Sequence, residues 1–321
     1  MKPPFLLLCL VASAPLIGCQ SAPANRVVSG VAAVPPPKQN VTAPKKQSNK
    51  PVTNREPNTN GKVFILEYHK FEEKETRWGR TPASFRRDLE LLYAVGFRPI
   101  TLSQYLQNKF EVPPGATPVV FTFDDGHESQ YRILPNGEVD PNCAVGIWKK
   151  FAETRPDFPV RATFFVLPPV PFVKMDTARE KLAFLKSQGS EIGVHTLSHH
   201  RLDTLTDEQV KKEIGGSIDW VRSWGIEPKT MAMPYGIYPK NKSLLKEFKW
   251  NGKRYKLDGA VRVGAVPMPS PSSENINRWG LGRIQGISLP WGLRHWLQIY
   301  KKGEVKMYVA PRVAEPAKPK V

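Results

Sequence analysis

Three of the six histidines in this chain fall within the stretch IGVHTLSHH at residues 192–200. His195 and His199 are four positions apart. In an extended strand that spacing is roughly 13 Å, too far to share an ion. In a helical turn the Cβ atoms approach to about 6 Å and both rings can converge. A shared ion therefore requires the chain to leave the strand at His195 and turn at once. Thr196 and Ser198 suit such a turn, because their hydroxyls can hold backbone groups. Imidazole favours zinc or a similar first-row ion. Two histidines are equally compatible with a plain surface pair, so a third ligand is needed. The stretch FTFDDG at 121–126 offers Asp124 and Asp125. Asp-Gly is also a favoured turn dipeptide. Set beside HTLSH on another strand, one aspartate completes a His-His-Asp set with open positions for water and substrate. The other, unligated, can act as base toward that water.

These groups must be positioned by strands. Short apolar runs at 63–69, 119–125, 161–167, 191–195, 230–236 and 258–264, with a further one at 281–287, alternate with amphipathic segments. Thr81-Pro82 is an N-cap followed by proline at the first helical position; Phe85, Leu89 and Leu92 then share one face, and the helix should end near Gly96. Thr206 and Gln209 form a capping box ahead of Val210, Ile214, Ile218 and Val221. Residues 125–142 read as a long turn-rich loop beside the site, and 143–154 as a helix. Buried runs without alternation, separated by helices, indicate a parallel sheet or barrel. The expected fold is α/β: a distorted or incomplete (β/α) barrel of about seven strands. In such barrels chemistry sits at the carboxyl ends of strands. His69, Asp124, Asp125, His195, Pro234 and Tyr235 all fall there.

The chain resembles the NodB-homology polysaccharide deacetylases. The likeness runs from about Val63 to Ile287 and is carried by Thr122-Phe123-Asp124-Asp125, by His195-Thr196-Leu197-Ser198-His199, and by ATFFV (162–166), AMPYG (232–236) and LGRI (281–284) in order. The resemblance implies that Asp124 is the general base and that Asp125, His195 and His199 hold one divalent metal ion, Zn2+ by ligand type. It implies that the Tyr235 backbone N–H faces the developing oxyanion. Two departures stand out. The third motif often begins with an arginine that orients the base; here that position is Ala232, as in a subset of the family. Arg283 either replaces that charge or merely closes a strand. The late histidine that usually acts as general acid is poorly matched by His295, in a helix-like segment. ILEYH (65–69) resembles the first strand of the poly-N-acetylglucosamine deacetylase branch, where a histidine of this segment is the acid, so His69 is preferred to His295. His127 and His200 read as neighbours; His127 is placed to touch substrate from the long loop.

Composition sets the surroundings. Residues 1–19 have the layout of an export signal, and Leu16-Ile17-Gly18-Cys19 resembles a bacterial lipobox, which implies a lipid on Cys19; an ordinary signal peptide is the alternative. Gln20 points toward the outer membrane or the periplasmic side. Residues 20–60 are polar and Pro/Ser/Lys-rich, a segment that cannot bury enough surface to order itself. They read as a linker to a deacetylase domain at 61–310, with a tail at 311–321. If Cys9 leaves with the signal and Cys19 carries lipid, Cys143 alone remains and no disulfide supports the fold. The formal net charge is +18, but basic and acidic residues are interspersed and no nucleic-acid motif occurs. An acidic envelope surrounding accounts for the charge better than nucleic acid does. The expected activity is removal of N-acetyl groups from a hexosamine polysaccharide, poly-N-acetylglucosamine or peptidoglycan, by a monomeric exported enzyme. A non-sugar amide hydrolase and a non-catalytic glycan-binding module are the competing classes. Trp279, Trp291 and Trp296 are candidates for stacking on sugar rings, although packing is the commoner role for such residues.

Overall fold

A computed structural model of the chain describes residues 52–311. The signal, Cys19, most of the linker and all but the first residue of the tail lie outside the described residues. Eight parallel strands form one sheet: β1 (Phe64–Tyr68), β2 (Phe97–Ile100), β3 (Thr117–Phe123), β4 (Thr163–Val166), β5 (Glu191–Val194), β6 (Thr230–Ala232), β7 (Gly259–Val263) and β8 (Leu281–Gln285). Seven of them close a ring, because β1 pairs with β3 on one edge and with β8 on the other. These seven are the seven runs expected from sequence. The eighth, β2, is an addition: it lies along the first half of β3, and β4 takes over the same edge at Thr122 and Phe123. The architecture is thus a closed seven-stranded (β/α) barrel with one supplementary strand.

Helices α1 (Pro82–Ala94), α2 (Leu102–Leu106), α3 (Ala144–Ala152), α4 (Met175–Ser187), α5 (Asp207–Ser223) and α6 (Leu293–Lys301) connect or flank the strands. Their ends follow local chemistry. Thr81 caps α1 by accepting from Ser84 N, and the left-handed Gly96 terminates it. Thr206 and Gln209 form the expected reciprocal box at α5. The helices cover the outer face of the ring, where Phe85, Phe121, Phe123, Trp148 and Phe158 interlock. Full burial of each such side chain contributes about 1.5–3 kcal/mol.

Side chains alternate in and out along each strand. Phe64, Leu66 and Tyr68 of β1 join the outer core, while Ile65, and Val63 just before the strand, join the inner one. Glu67 and His69 therefore point into the ring. The same parity turns Thr122 and Asp124 inward after Val120, and Arg283 inward after Leu281. The amino-terminal end of the ring is plugged: Leu102, Tyr105 and Leu106 of α2 pack into the inner cluster, and the Tyr105 hydroxyl donates to Pro269 O (2.7 Å). Residues 53–58, assigned to the linker on composition, dock at this same end. Thr53 Oγ1 and Arg55 donate to Gly115 O, Arg55 donates to the Tyr300 hydroxyl, and Asn58 pairs with Val309. These hydrogen bonds supply the binding that composition does not show. A small antiparallel hairpin, Glu247–Trp250 with Lys253–Lys256, is a further element not expected from sequence. No helix among the described residues is long and apolar enough to cross a membrane.

Candidate active site

At the carboxyl end the ring opens into a cleft of about 250 Å3, lined by His69, Trp78, Asp124, Asp125, His195, His199, Tyr235 and Arg283 among others. The strands deliver these side chains, but the turns that follow aim them. Asp125, Thr196, His199 and Tyr235 all have positive φ (74°, 70°, 57° and 58°). Non-glycine residues rarely adopt this region, and it concentrates at functional sites. Gly126 (φ 59°) continues the turn after Asp125; a Cβ there would crowd Val166 at 3.2 Å.

The turn after β5 is what the four-residue spacing demanded. The chain leaves the strand at His195, and Thr196 Oγ1 accepts from His199 N (3.1 Å). Glu213 on α5 fixes the rest. Its carboxylate accepts from Leu197 N and Ser198 N (both 3.0 Å) and from Ser198 Oγ (2.6 Å). The two imidazole rings come to 4.8 Å between centroids. Asp125 Oδ1 lies 3.4 Å from His195 Nε2 and 3.7 Å from His199 Nε2, and one ligand atom from each residue falls within 4.8 Å of the others. Four-coordinate zinc with bonds of about 2.1 Å spaces its ligand atoms by about 3.4 Å, so this donor set fits such an ion. The hydrogen bond behind the His195 ring fits as well. Buried His195 donates from Nδ1 to Ala232 O (2.8 Å), which leaves Nε2 as the free acceptor.

Asp124 stands beside this trio, its Oδ2 3.9 Å from His195 Nε2, and is held from below by Arg283. The guanidinium donates from Nη1 to Asp124 Oδ1 (2.6 Å) and from Nη2 to Asp124 Oδ2 (2.7 Å). Both residues are buried. Burial alone would raise the Asp124 pKa; the charge of Arg283, then that of His195, reverses this and holds the carboxyl well below its ordinary range. Position 232 is occupied by a buried alanine, and the guanidinium beside Asp124 comes from β8 instead.

His69 Nε2 is 3.7 Å from Asp124 Oδ2, on the side of Asp124 served by β1. Burial lowers its pKa, partly offset by Asp124 and Asp125. Trp78 packs against its ring at 4.6 Å between centroids and forms an exposed wall of the cleft. The loop that carries Trp78 is anchored by Arg80, which pairs with buried Asp88 (2.6 Å) and with Glu75 (2.8 Å). Tyr235 forms another wall, its ring 4.7 Å from that of His199.

The structure thus brings together Asp124, Asp125, His195, His199, His69, Arg283 and Tyr235. The other candidates lie elsewhere. His295 is on α6 against Trp296 and does not line the cleft. His127 caps a short 3-10 turn by accepting from Ser129 N and does not line the cleft either. Trp279 lines a separate cavity with Lys109, Lys246 and Lys256, Trp296 donates to Ala265 O, and exposed Trp291 lies off the cleft lining. Four residues at the site escaped the sequence reading: Glu67, Trp78, Gln130 and Glu213. Buried Gln130 donates to both His69 O and Asp124 O, tying the two strand ends together. A charged residue inside the apolar run FILEY was the one available signal for Glu67.

Residues 111–253 match the family model described as polysaccharide deacetylase. Among solved structures, the chain is similar to a Streptococcus pyogenes deacetylase, PplD, in complex with acetate (TM-score 0.54, 19% identity, 74% of this chain and 98% of that one). It is similar to IcaB from Ammonifex degensii (0.53, 19%, 74% and 97%) and to a polysaccharide deacetylase from Bacillus cereus (0.53, 16%, 70% and 65%). The chain therefore spans only 65% of the length of the Bacillus cereus protein. No curated protein matches the sequence. At these identities the structures establish a shared fold, and the stretch that matches the polysaccharide deacetylase model, residues 111–253, holds both the aspartate and the histidine motifs.

Proposed function

We propose that the protein is a metal-dependent hydrolase that removes N-acetyl groups from an N-acetylhexosamine polysaccharide of the bacterial envelope. The observation that carries this reading is the trio Asp125, His195 and His199 with an unligated carboxylate, Asp124, directly beside it. A divalent cation, Zn2+ on the donor set, would be held by that trio and would supply Lewis acidity in the cleft. Asp124, oriented by Arg283, takes a proton from the attacking water. The Tyr235 backbone N–H donates to the oxyanion that develops on the acetamide carbonyl. His69, on the other side of Asp124, gives a proton to the departing amine, without which the amine is a poor leaving group. The C–N bond breaks to yield acetate and a free amine. The exposed rings of Trp78 and Tyr235 give the sugar two apolar walls.

The ILEYH segment favours poly-N-acetylglucosamine over peptidoglycan as substrate. The lipobox-like Cys19 and Gln20 favour an outer-membrane or periplasmic lipoprotein that acts on polymer as a monomer. The test is metal analysis of the purified chain combined with acetate release from both polymers and from small non-sugar amides. One divalent ion per chain and release from poly-N-acetylglucosamine are expected. Full activity after chelation would remove the scheme, and preference for small amides would move the enzyme to another substrate class.

A further inference from the structure

Glu67 is a buried carboxylate on the wall of the ring, between the base and the plugged end, with no place in the chemistry above. Its Oε1 accepts from Arg283 Nη2 at 2.6 Å, and its Oε2 has no hydrogen-bond partner. A guanidinium carries five N–H donors in one plane. Those of Arg283 all find acceptors: Nε meets Arg262 O (3.2 Å), Nη1 meets Thr122 Oγ1 (3.0 Å) and Asp124 Oδ1, and Nη2 meets Glu67 Oε1 and Asp124 Oδ2. Four of these acceptors lie on different parts of the ring, namely β1, β3, the turn after β3, and β7. The two bonds to Asp124 alone would leave the plane free to tilt about the carboxylate. Glu67 and Thr122 fix it from opposite ends of the fork.

We propose that Glu67 is a positioning residue for the base: acting through Arg283, it sets the plane in which both oxygens of Asp124 are held. The proposal rests on the deacetylase reading for its rate measurement. What matters in this role is the acceptor oxygen rather than the full charge. Burial raises the Glu67 pKa to about 7, partly opposed by Arg283 and His195 and assisted by Asp124. A protonated carboxyl would still accept from Arg283 through Oε1. Glutamine is a close mimic of that form, and methionine matches the volume while lacking the oxygen.

The experiment compares Glu67→Met and Glu67→Gln with the parent chain. In Glu67→Met, kcat should fall on the order of 10²-fold, the cost of a misplaced catalytic group, with KM and bound metal unchanged. Glu67→Gln should recover most of that loss. In an Arg283→Lys background Glu67→Met should cost nothing further, since the route to Asp124 is already gone. Crystal structures of the two variants give a readout independent of activity: a rotated guanidinium in Glu67→Met and an unmoved one in Glu67→Gln. Equal rates for Glu67→Met and parent, loss of metal or a rise in KM in step with the rate, the same penalty in the Arg283→Lys background, or an unmoved guanidinium in Glu67→Met would each overturn the proposal. A parent chain that releases no acetate counts against the deacetylase reading, and the guanidinium geometry still decides the role of Glu67.

Discussion

Each end of the ring holds a carboxylate that several donors converge on, and the two are satisfied in different ways. At the amino-terminal end, Glu191 accepts from Ser103 N (2.9 Å), Ser103 Oγ (2.7 Å), Thr163 Oγ1 (3.0 Å) and Thr230 Oγ1 (2.7 Å). Every donor is neutral, the bonds tie α2 to β4 and β6, and no Trp, His or strained turn lies among them. At the carboxyl end, Asp124 is met by a charged guanidinium, two imidazoles and a second carboxylate, in backbone that repeatedly enters the left-handed region. A carboxylate saturated by hydroxyls and amides secures packing. One surrounded by opposed charges and open to a cleft is arranged for chemistry, because small proton movements there carry large energies.

That contrast predicts separable responses. The largest effect should come from the ion site: His195→Ala should abolish both metal retention, measured by elemental analysis, and acetate release. Next, Asp124→Asn should lower kcat by about 10²–10⁴-fold while metal content stays at the parent level; undiminished turnover would remove Asp124 as base. Arg283→Met crosses the divide. It strips the partner from two buried carboxylates, so a stability loss of about 3–5 kcal/mol in denaturant melts should accompany its loss of rate. Glu191→Gln should cost about 1–3 kcal/mol of stability with kcat unchanged, and a matching fall in kcat would erase the distinction between the two ends. Smallest, Thr206→Ala at the start of α5 should cost about 1 kcal/mol and leave turnover alone.

The ring strands were legible because each is an unbroken apolar run between turn residues, and the caps of α1 and α5 because their chemistry is local. β2 was not, since FRPI is four residues long and holds Arg98 and Pro99. Its strand character comes from lying along β3, a contact remote in sequence. The hairpin at 247–256 did carry a signal, Asn251-Gly252 between two short arms, obscured by the density of lysine and arginine around it. At the site, the motif residues announce themselves by type and spacing. Glu67, Gln130 and Glu213 act through partners 216, 6 and 15 positions away, and only the closed ring shows which partners those are. Residues 53–58 illustrate the converse: their composition is that of a linker, and their attachment rests on backbone carbonyls that no composition reveals.

The ring closes unevenly. Between β1 and β3 five residue pairs are in register, Phe64 with Val119 through Tyr68 with Phe123; between β1 and β8 only Leu66 with Ile284 and Glu67 with Gln285 are. Arg283, on β8, reaches across this thin seam to Glu67 on β1 and to Asp124 beyond it. Turnover should consequently act as a gauge of whether the seam is shut: at low denaturant, an opening of about 1 Å there should cost about 10²-fold in rate while tryptophan emission still reports a folded chain.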